Sequence, residues 1–389
     1  MPRFIQRFFL LFPALVVFQV SPVSAVMHHF KEWYPEWGFI FNNITHVNCA
    51  DQYRYYRDGE TNLTQSQWYN NFRWIGSGTS DVLAVPLVDC ILNNSAEYMK
   101  SEMSAANVVL GLTPSILASL GSSADETSIL SAIGNRPFLA LCLSAGSPAV
   151  EPLRLFQHRK LTTVLDDHPG RLKVRFFPFW VEVIIVAIEH LAVLGAIANV
   201  AMLGYQLGSR VVLVFAPHLT YLIFVWIFLG VTPYLFARFA LHLRIKFDYV
   251  ESQNPISWLK RWIAPWNQRR SAIFTIYPET LLSTFFSAMV SLIISAHIIF
   301  GTLVFSSMLF ISVKDTMPIV GRFLISAIVC RIVLVFELAR IRHLFHKEKI
   351  YELIEQIDEE IEKRDRRGNS ITYLRLFRRR TNSGISEVP

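Results

Sequence analysis

Residues 179–204 read FWVEVIIVAIEHLAVLGAIANVAMLG. As a helix rising about 1.5 Å per residue, this apolar run is long enough to cross a hydrocarbon core about 30 Å thick. Three more runs of the same kind occupy 211–237, 279–303 and 318–340. Runs of that length identify spans, so the chain reads as an all-α polytopic membrane bundle. Composition agrees. Of 389 residues 52% are hydrophobic and only 17% charged, where soluble domains carry about 25% charged residues. Mean hydropathy is +0.35. An ordinary soluble enzyme, a disordered chain and a disulfide-dense secreted module are all excluded.

Two weaker apolar stretches precede the strong ones, at about 105–121 and 128–146. The first contains Pro114, and the second contains Arg136 and Pro137. Charge decides the topology. Lys and Arg crowd into 147–176, 238–276 and the tail after 340, whereas the connectors near 205–210 and 304–317 carry only Arg210 and Lys314. Cytoplasmic loops hold the positive excess, so those three basic segments are expected inside. An outside N-terminus then requires an odd number of crossings before residue 150. One weak stretch spans, and the other is re-entrant, interfacial or packed on the bundle, giving about five spans. The net charge of +7 implies anionic lipid of the cytoplasmic leaflet as a partner, not nucleic acid.

Residues 1–25 read as a signal peptide: Arg3 and Arg7, an apolar core from Phe8 to Val20, then Val23-Ser24-Ala25 as a cleavage site. Residues 26–103 contain no long apolar run and form a small ectodomain, lumenal or extracellular. Its sequons place N-glycans on Asn43, Asn62 and Asn93. Cys49 and Cys90 are expected to pair in that oxidising compartment, while Cys142 and Cys330, in apolar segments, read as packed thiols. Its many rings, among them Trp33, Tyr34, Trp37 and Tyr56, suit a small core resting on the membrane interface. His28 and His29 alone do not make a metal site, and no metal or cofactor is expected.

Ionisable residues inside spans are costly and are functional candidates by default. Glu182 and Glu189 lie seven residues apart on one helix face, with His190 adjacent. Counted from the ends of their spans, Glu189 and Arg331 both fall near the midplane, and the simplest arrangement pairs them. The candidate intramembrane polar site is therefore Glu189, Arg331, His190 and Glu182. Glu337, Arg322, Asn199, His218 and His297 are the other polar side chains in spans. Pro217 and Pro233 are expected to kink the 211–237 span.

Several further segments, Gly111-Leu112-Thr113-Pro114-Ser115-Ile116-Leu117-Ala118-Ser119-Leu120-Gly121, Glu126-Thr127-Ser128-Ile129-Leu130, Asn135-Arg136-Pro137-Phe138-Leu139-Ala140-Leu141 and Ser144-Ala145-Gly146-Ser147-Pro148-Ala149-Val150, carry a resemblance. With Ala198-Asn199-Val200 and Gln206-Leu207-Gly208, they resemble a group of fungal polytopic membrane proteins of unknown function over about residues 105–235. The resemblance implies a topology and no functional residues. By analogy alone it suggests a setting in secondary metabolism.

On the basic side, Trp258, Trp262 and Trp266 recur beside Lys260, Arg261, Arg269 and Arg270, as in an interfacial amphipathic segment. Ile350, Ile354, Ile357 and Ile361 lie among acidic residues and predict an amphipathic helix ending near Gly368, followed by a basic-apolar patch at 373–380. The sequence contains no nucleotide-binding loop, no nucleophile elbow, and no metal-spaced Cys/His cluster. The expected organisation is 1–25 signal peptide, 26–103 ectodomain, 104–146 apolar hairpin with one span, 147–176 cytoplasmic loop, 177–340 four-span bundle with its loop 238–276, and 341–389 cytoplasmic tail. The functional expectation is an accessory or structural membrane glycoprotein with a protein partner at its ectodomain or tail. A small-molecule or proton-coupled transporter and an intramembrane enzyme are the alternatives.

Overall fold

A computed structural model describes residues 29–58, 79–134, 136–151, 178–248, 273–276 and 280–365. The signal peptide, the Asn62 sequon, His28, the Trp258–Trp266 segment and the basic patch at 373–380 lie outside them. In chain order the elements are α1 (Gly38–Asn43), α2 (Ala50–Asp58), α3 (Thr79–Asn93), α4 (Glu97–Leu120), α5 (Ala124–Ala132), α6 (Pro137–Gly146), α7 (Phe179–Arg210), β1 (Val212–Leu213), α8 (Leu222–Leu229), α9 (Thr232–Arg244), β2 (Ile245–Asp248), β3 (Ile273–Ile276), α10 (Leu281–Ser306), β4 (Met308–Leu309) and α11 (Val313–Asp365). Contacts divide the chain into one unit of residues 1–158 and 177–337 and another of 159–176 and 338–389. Of the second unit, the described part is mainly the continuation of α11, helical to Asp365 as the isoleucine spacing predicts.

Among the described residues, five helical segments are long and apolar enough to cross a membrane: Glu97–Leu120, Trp180–Arg210, Leu222–Arg244, Leu281–Ser306 and Val313–Arg342. The protein is an integral membrane protein with an all-α bundle. The expected 211–237 span is displaced. Residues 211–221 are not helical, β1 pairs antiparallel with β4, and the apolar helix begins at Leu222. Pro217 therefore lies outside the helix. Pro233 sits in the first turn of α9, where a missing N–H costs nothing. The break in this span falls at Gly230-Val231.

The N-terminal segment, for which the label ectodomain is kept from the sequence expectation, has its own core: Phe30, Trp33, Trp37, Phe41, Leu87, Ile91, Met99 and Met103 are buried together with the Cys49–Cys90 disulfide. Val212 and Phe310 from the bundle complete it. The Phe310 ring meets Phe41 at 5.2 Å and Trp33 at 5.4 Å between centroids. Phe30 and Phe310 both hold left-handed backbone (φ 67° and 65°), a conformation that costs a bulky residue about 1–3 kcal/mol. Ion pairs join Glu32 to Arg210 at 3.1 Å and Glu36 to Lys314 at 2.6 Å. Arg210 closes α7 and Lys314 opens α11, so the ectodomain caps that end of the bundle. The flanks of the basic loops, at Pro178, Arg244 and Leu281, fall at the opposite end.

The two weak stretches form the least regular part. Met99 and Met103 of α4 belong to the ectodomain core, and Gly111 packs against Ser306, the last residue of α10. From Ala106 through Leu110, Leu117 and Ala118, α4 packs into the bundle core. The helix breaks at Gly121. After Ser123, α5 continues away from the ectodomain, and α6 returns. Ser122 and Val150 then lie side by side in a parallel bridge. The second weak stretch is thus two half-helices, not a span. Gly121 abuts the Ala149 carbonyl, and Gly230, at the break between α8 and α9, abuts the Pro148 carbonyl. A side chain at either glycine would strike backbone, so both helix breaks are held against one strip, residues 148–149.

Candidate functional site

The turn between α5 and α6 sets a charge deep in the protein. Arg136 is the N-cap of α6, with Pro137 at the first helical position, and its backbone (φ −120°, ψ 62°) lies outside the helical region that a following proline disfavours. Its side chain is buried and reaches two carboxylates. Nη1 donates to Glu189 Oε2 at 2.7 Å and lies 3.1 Å from Glu337 Oε1. Glu189 and Glu337 are 5% and 0% exposed, and Arg136 is 6% exposed. One guanidinium nitrogen therefore faces carboxylates from α7 and α11 at once.

A second pair lies nearer the ectodomain. Ser123 and Glu126 form a capping box that starts α5: the Glu126 N–H donates to Ser123 Oγ and the Ser123 N–H to Glu126 Oε2, each at 3.2 Å. Arg331 grips the same carboxylate with both Nη1 and Nη2. A carboxylate at a half-helix N-terminus also gains from the helix dipole.

These pairings correct the expected Glu189–Arg331 contact. Gly146 packs between Ala196 of α7 and Cys330 of α11, which fixes the register of the two helices. Arg331 is thereby level with Ala196, about 10 Å along the helix from Glu189. Counting residues from apolar boundaries missed this because both helices extend past the limits of their hydropathy.

Glu182 is buried on the same face of α7 as Glu189. His190 lies beside the cluster, half-buried, with Nδ1 2.7 Å from the Val186 carbonyl, so that nitrogen bears a proton. Its ring stacks on Phe138. From α9, the Tyr234 hydroxyl meets Pro137 O at 3.2 Å and Ser131 Oγ at 3.1 Å, and Arg238 approaches Tyr234. The candidate residues from the sequence are thus divided: Glu189 joins Arg136 and Glu337, and Arg331 joins Glu126. Arg136, Glu126 and Glu337 are the site residues that sequence reasoning did not include. Each is nevertheless a charge in or beside an apolar run, and that signal was available.

Other polar groups are tied up in packing. Arg322 donates to Asn199 Oδ1 at 2.8 Å and Gln206 Oε1 at 2.9 Å, joining α7 to α11. His297 stacks on Trp226, with its Nε2 2.9 Å from the Trp226 carbonyl. Cys142 and Cys330 are buried free thiols. Among the described residues no group of three or more His, Cys, Asp or Glu could hold a metal ion. Comparison with protein-family models, with curated proteins and with solved structures finds no match, so the geometry alone carries the functional argument.

Proposed function

We propose that this chain is a multi-pass membrane glycoprotein that moves a small solute across the bilayer, with its ectodomain outside the cytoplasm. The observation that carries the reading is the meeting of two broken helices on one strip of backbone. The breaks at Gly121 and Gly230 both rest on residues 148–149, and α5, whose first turn holds Glu126, leads from the first break to the turn that carries Arg136. Discontinuous helices beside buried charge are how transporters build a site near the middle of the membrane.

The orientation has separate support. Cys49–Cys90 is bridged, Asn43 and Asn93 are exposed on the ectodomain, and the basic loops depart from the opposite end. Anionic lipid of the cytoplasmic leaflet is the partner of those loops. The resemblance to fungal polytopic membrane proteins belongs to the same reading.

An accessory role is favoured by one specific observation: the ectodomain is fastened to the bundle by Glu32–Arg210, Glu36–Lys314 and the Phe310 cluster. Such a fixed cap suits the display of a partner surface. Metabolites in cells and medium distinguish the readings, comparing cells that lack the protein with cells restored by wild type or by Glu189→Gln at matched abundance. Transport predicts a compound retained in cells and lost from the medium, not rescued by the variant. A precursor replacing a product would indicate catalysis, and an unchanged profile would leave the accessory role.

A further inference from the structure

Arg322 lies inside the α11 span, nine residues past Val313 and so about 14 Å along the helix from the ectodomain end. A guanidinium at that depth is costly unless its charge is met. Its protein partners are neutral. Nε donates to Asn199 Oδ1 at 2.8 Å and Nη1 to Gln206 Oε1 at 2.9 Å, both from α7. Asn199 in turn donates to the Arg322 carbonyl at 3.0 Å and to Ser326 Oγ at 2.8 Å. These bonds fix where the guanidinium stands and leave its charge whole. Of its N–H donors, those on Nη2 take no part in them.

The neighbouring charges are engaged elsewhere. Arg210, one turn after Gln206, pairs with Glu32 at 3.1 Å, and Lys314 pairs with Glu36 at 2.6 Å. Asp315, two turns before Arg322, accepts from Ser312 Oγ at 2.9 Å in the turn that starts α11. Among the described residues no carboxylate stands within ion-pair distance of Arg322.

Tyr34 brings a second donor to the same place. It is buried in one cluster with Leu203 and Leu207 of α7 and Ile319 and Phe323 of α11, the residues that bracket Gln206 and Arg322. The Arg210 guanidinium lies 5.6 Å from its ring centroid. Its hydroxyl is buried and has no hydrogen-bond partner among the described residues, which costs free energy until an acceptor arrives. Burial keeps the proton on that hydroxyl, and the charges of Arg210, Asp315 and Arg322 all act on it. A fixed cation and a sealed O–H donor thus call for the same thing, an acceptor that carries negative charge.

We propose that Arg322 and Tyr34 bind a small monocarboxylate at the ectodomain end of the bundle, its oxygens accepting from Arg322 Nη2 and from the Tyr34 hydroxyl. The charges set the class. One guanidinium without a carboxylate matches one negative charge, and Asp315 disfavours a dianion such as inorganic phosphate. Directed N–H and O–H donors suit an oxyanion better than a halide. The phosphodiester of a lipid headgroup offers similar chemistry, but the Tyr34 hydroxyl is enclosed within the bundle, where a free carboxylate fits and a headgroup does not. Binding follows from these contacts and does not depend on transport. That the bound anion is the solute carried rests on the transport reading above.

The test is saturation-transfer NMR on the full chain in phosphatidylcholine nanodiscs, with sodium lactate and sodium benzoate as probes. The wild type should bind a probe saturably. Arg322→Gln should abolish binding. Tyr34→Phe should weaken it about tenfold with no loss of stability, because that hydroxyl bonds to nothing else in the chain. Lys314→Gln, whose charge is committed to Glu36, should bind as wild type does. Absence of saturable binding of both probes would overturn the proposal, as would wild-type affinity in Tyr34→Phe or in Arg322→Gln. Displacement by equimolar chloride would mark a halide site, and binding seen in detergent but lost in the nanodisc would assign the donors to lipid phosphate; either overturns it. If Arg322→Gln does not fold, as judged by size-exclusion chromatography, the wild type and Tyr34→Phe still decide. Uptake of labelled lactate into vesicles is read separately: a chain that binds the probe and does not carry it would refute the link to transport and leave the site.

Discussion

Arg136→Gln is the most informative single change. It leaves two carboxyls, 5% and 0% exposed, without their common cation. Breaking a buried ion pair by removing one partner costs about 3–5 kcal/mol. Glutamine keeps an N–H donor and recovers about 1 kcal/mol through one hydrogen bond. A net loss of about 3 kcal/mol follows, a factor of more than about 100 in the folding equilibrium. The assay is equilibrium unfolding in lipid–detergent micelles, followed by tryptophan fluorescence, and the discriminating measurement is a double-mutant cycle. Arg136→Gln with Glu189→Gln should show coupling of about 1–3 kcal/mol, whereas Glu189→Gln with Arg331→Gln should add to within about 0.5 kcal/mol. Strong coupling across Glu189 and Arg331, with none to Arg136, would refute the register derived from Gly146.

Three other outcomes are expected. Gly121→Ala and Gly230→Ala drive a Cβ into the backbone of residues 148–149 and should each destabilise the protein by about 1–3 kcal/mol, while Gly195→Ala, with nothing within 4 Å, should unfold no earlier than wild type. Cys49→Ser opens a loop of sequence separation 41 and should cost about 4 kcal/mol by loop entropy; unfolding with and without reductant measures it. Burial raises the ionisation of Tyr34 and Tyr56 above the ordinary tyrosine range, in Tyr34 against a lowering pull from Arg210. The folded chain thus keeps protons that the unfolded chain loses, so this contribution is whole below about pH 10 and is lost as pH rises through the folded values. Ultraviolet titration of tyrosinate, compared with Tyr34→Phe and Tyr56→Phe, should assign to each of these two a late step that accompanies unfolding, and ordinary titration of both would contradict this.

The bundle, the disulfide and the two packed thiols were legible in the sequence because hydropathy and cysteine compartment act locally. The 211–221 segment was misread because it is as apolar as a span yet leaves the helix. Hydropathy registers burial, and there the burial is supplied by a short strand pair and turns at the ectodomain junction. Glu189 was recognised as a costly charge but given the wrong partner. Partner choice depends on helix register, which Gly146 sets through contacts with Ala196 and Cys330 that no local pattern encodes. Arg136 was read as a blemish in a weak span. Once that span is two half-helices, the same residue becomes the turn that delivers a cation to the interior.

Phe310 gives the protein a schedule. The ectodomain core is built from residues 30–103, yet Val212 and Phe310 belong to it, and two phenylalanines stay in a costly backbone conformation only while that core is complete. During synthesis the core of residues 30–103 must therefore wait, unfinished, until residue 310 has been made and placed. The interval matters for Asn43 and Asn93, whose sequon hydroxyls on Thr45 and Ser95 are sealed in the finished fold against the carbonyls of Phe41 and Ile91. Under the proposed orientation, any sugar transfer to these residues belongs to that waiting period, and closure of the Phe310 cluster ends it.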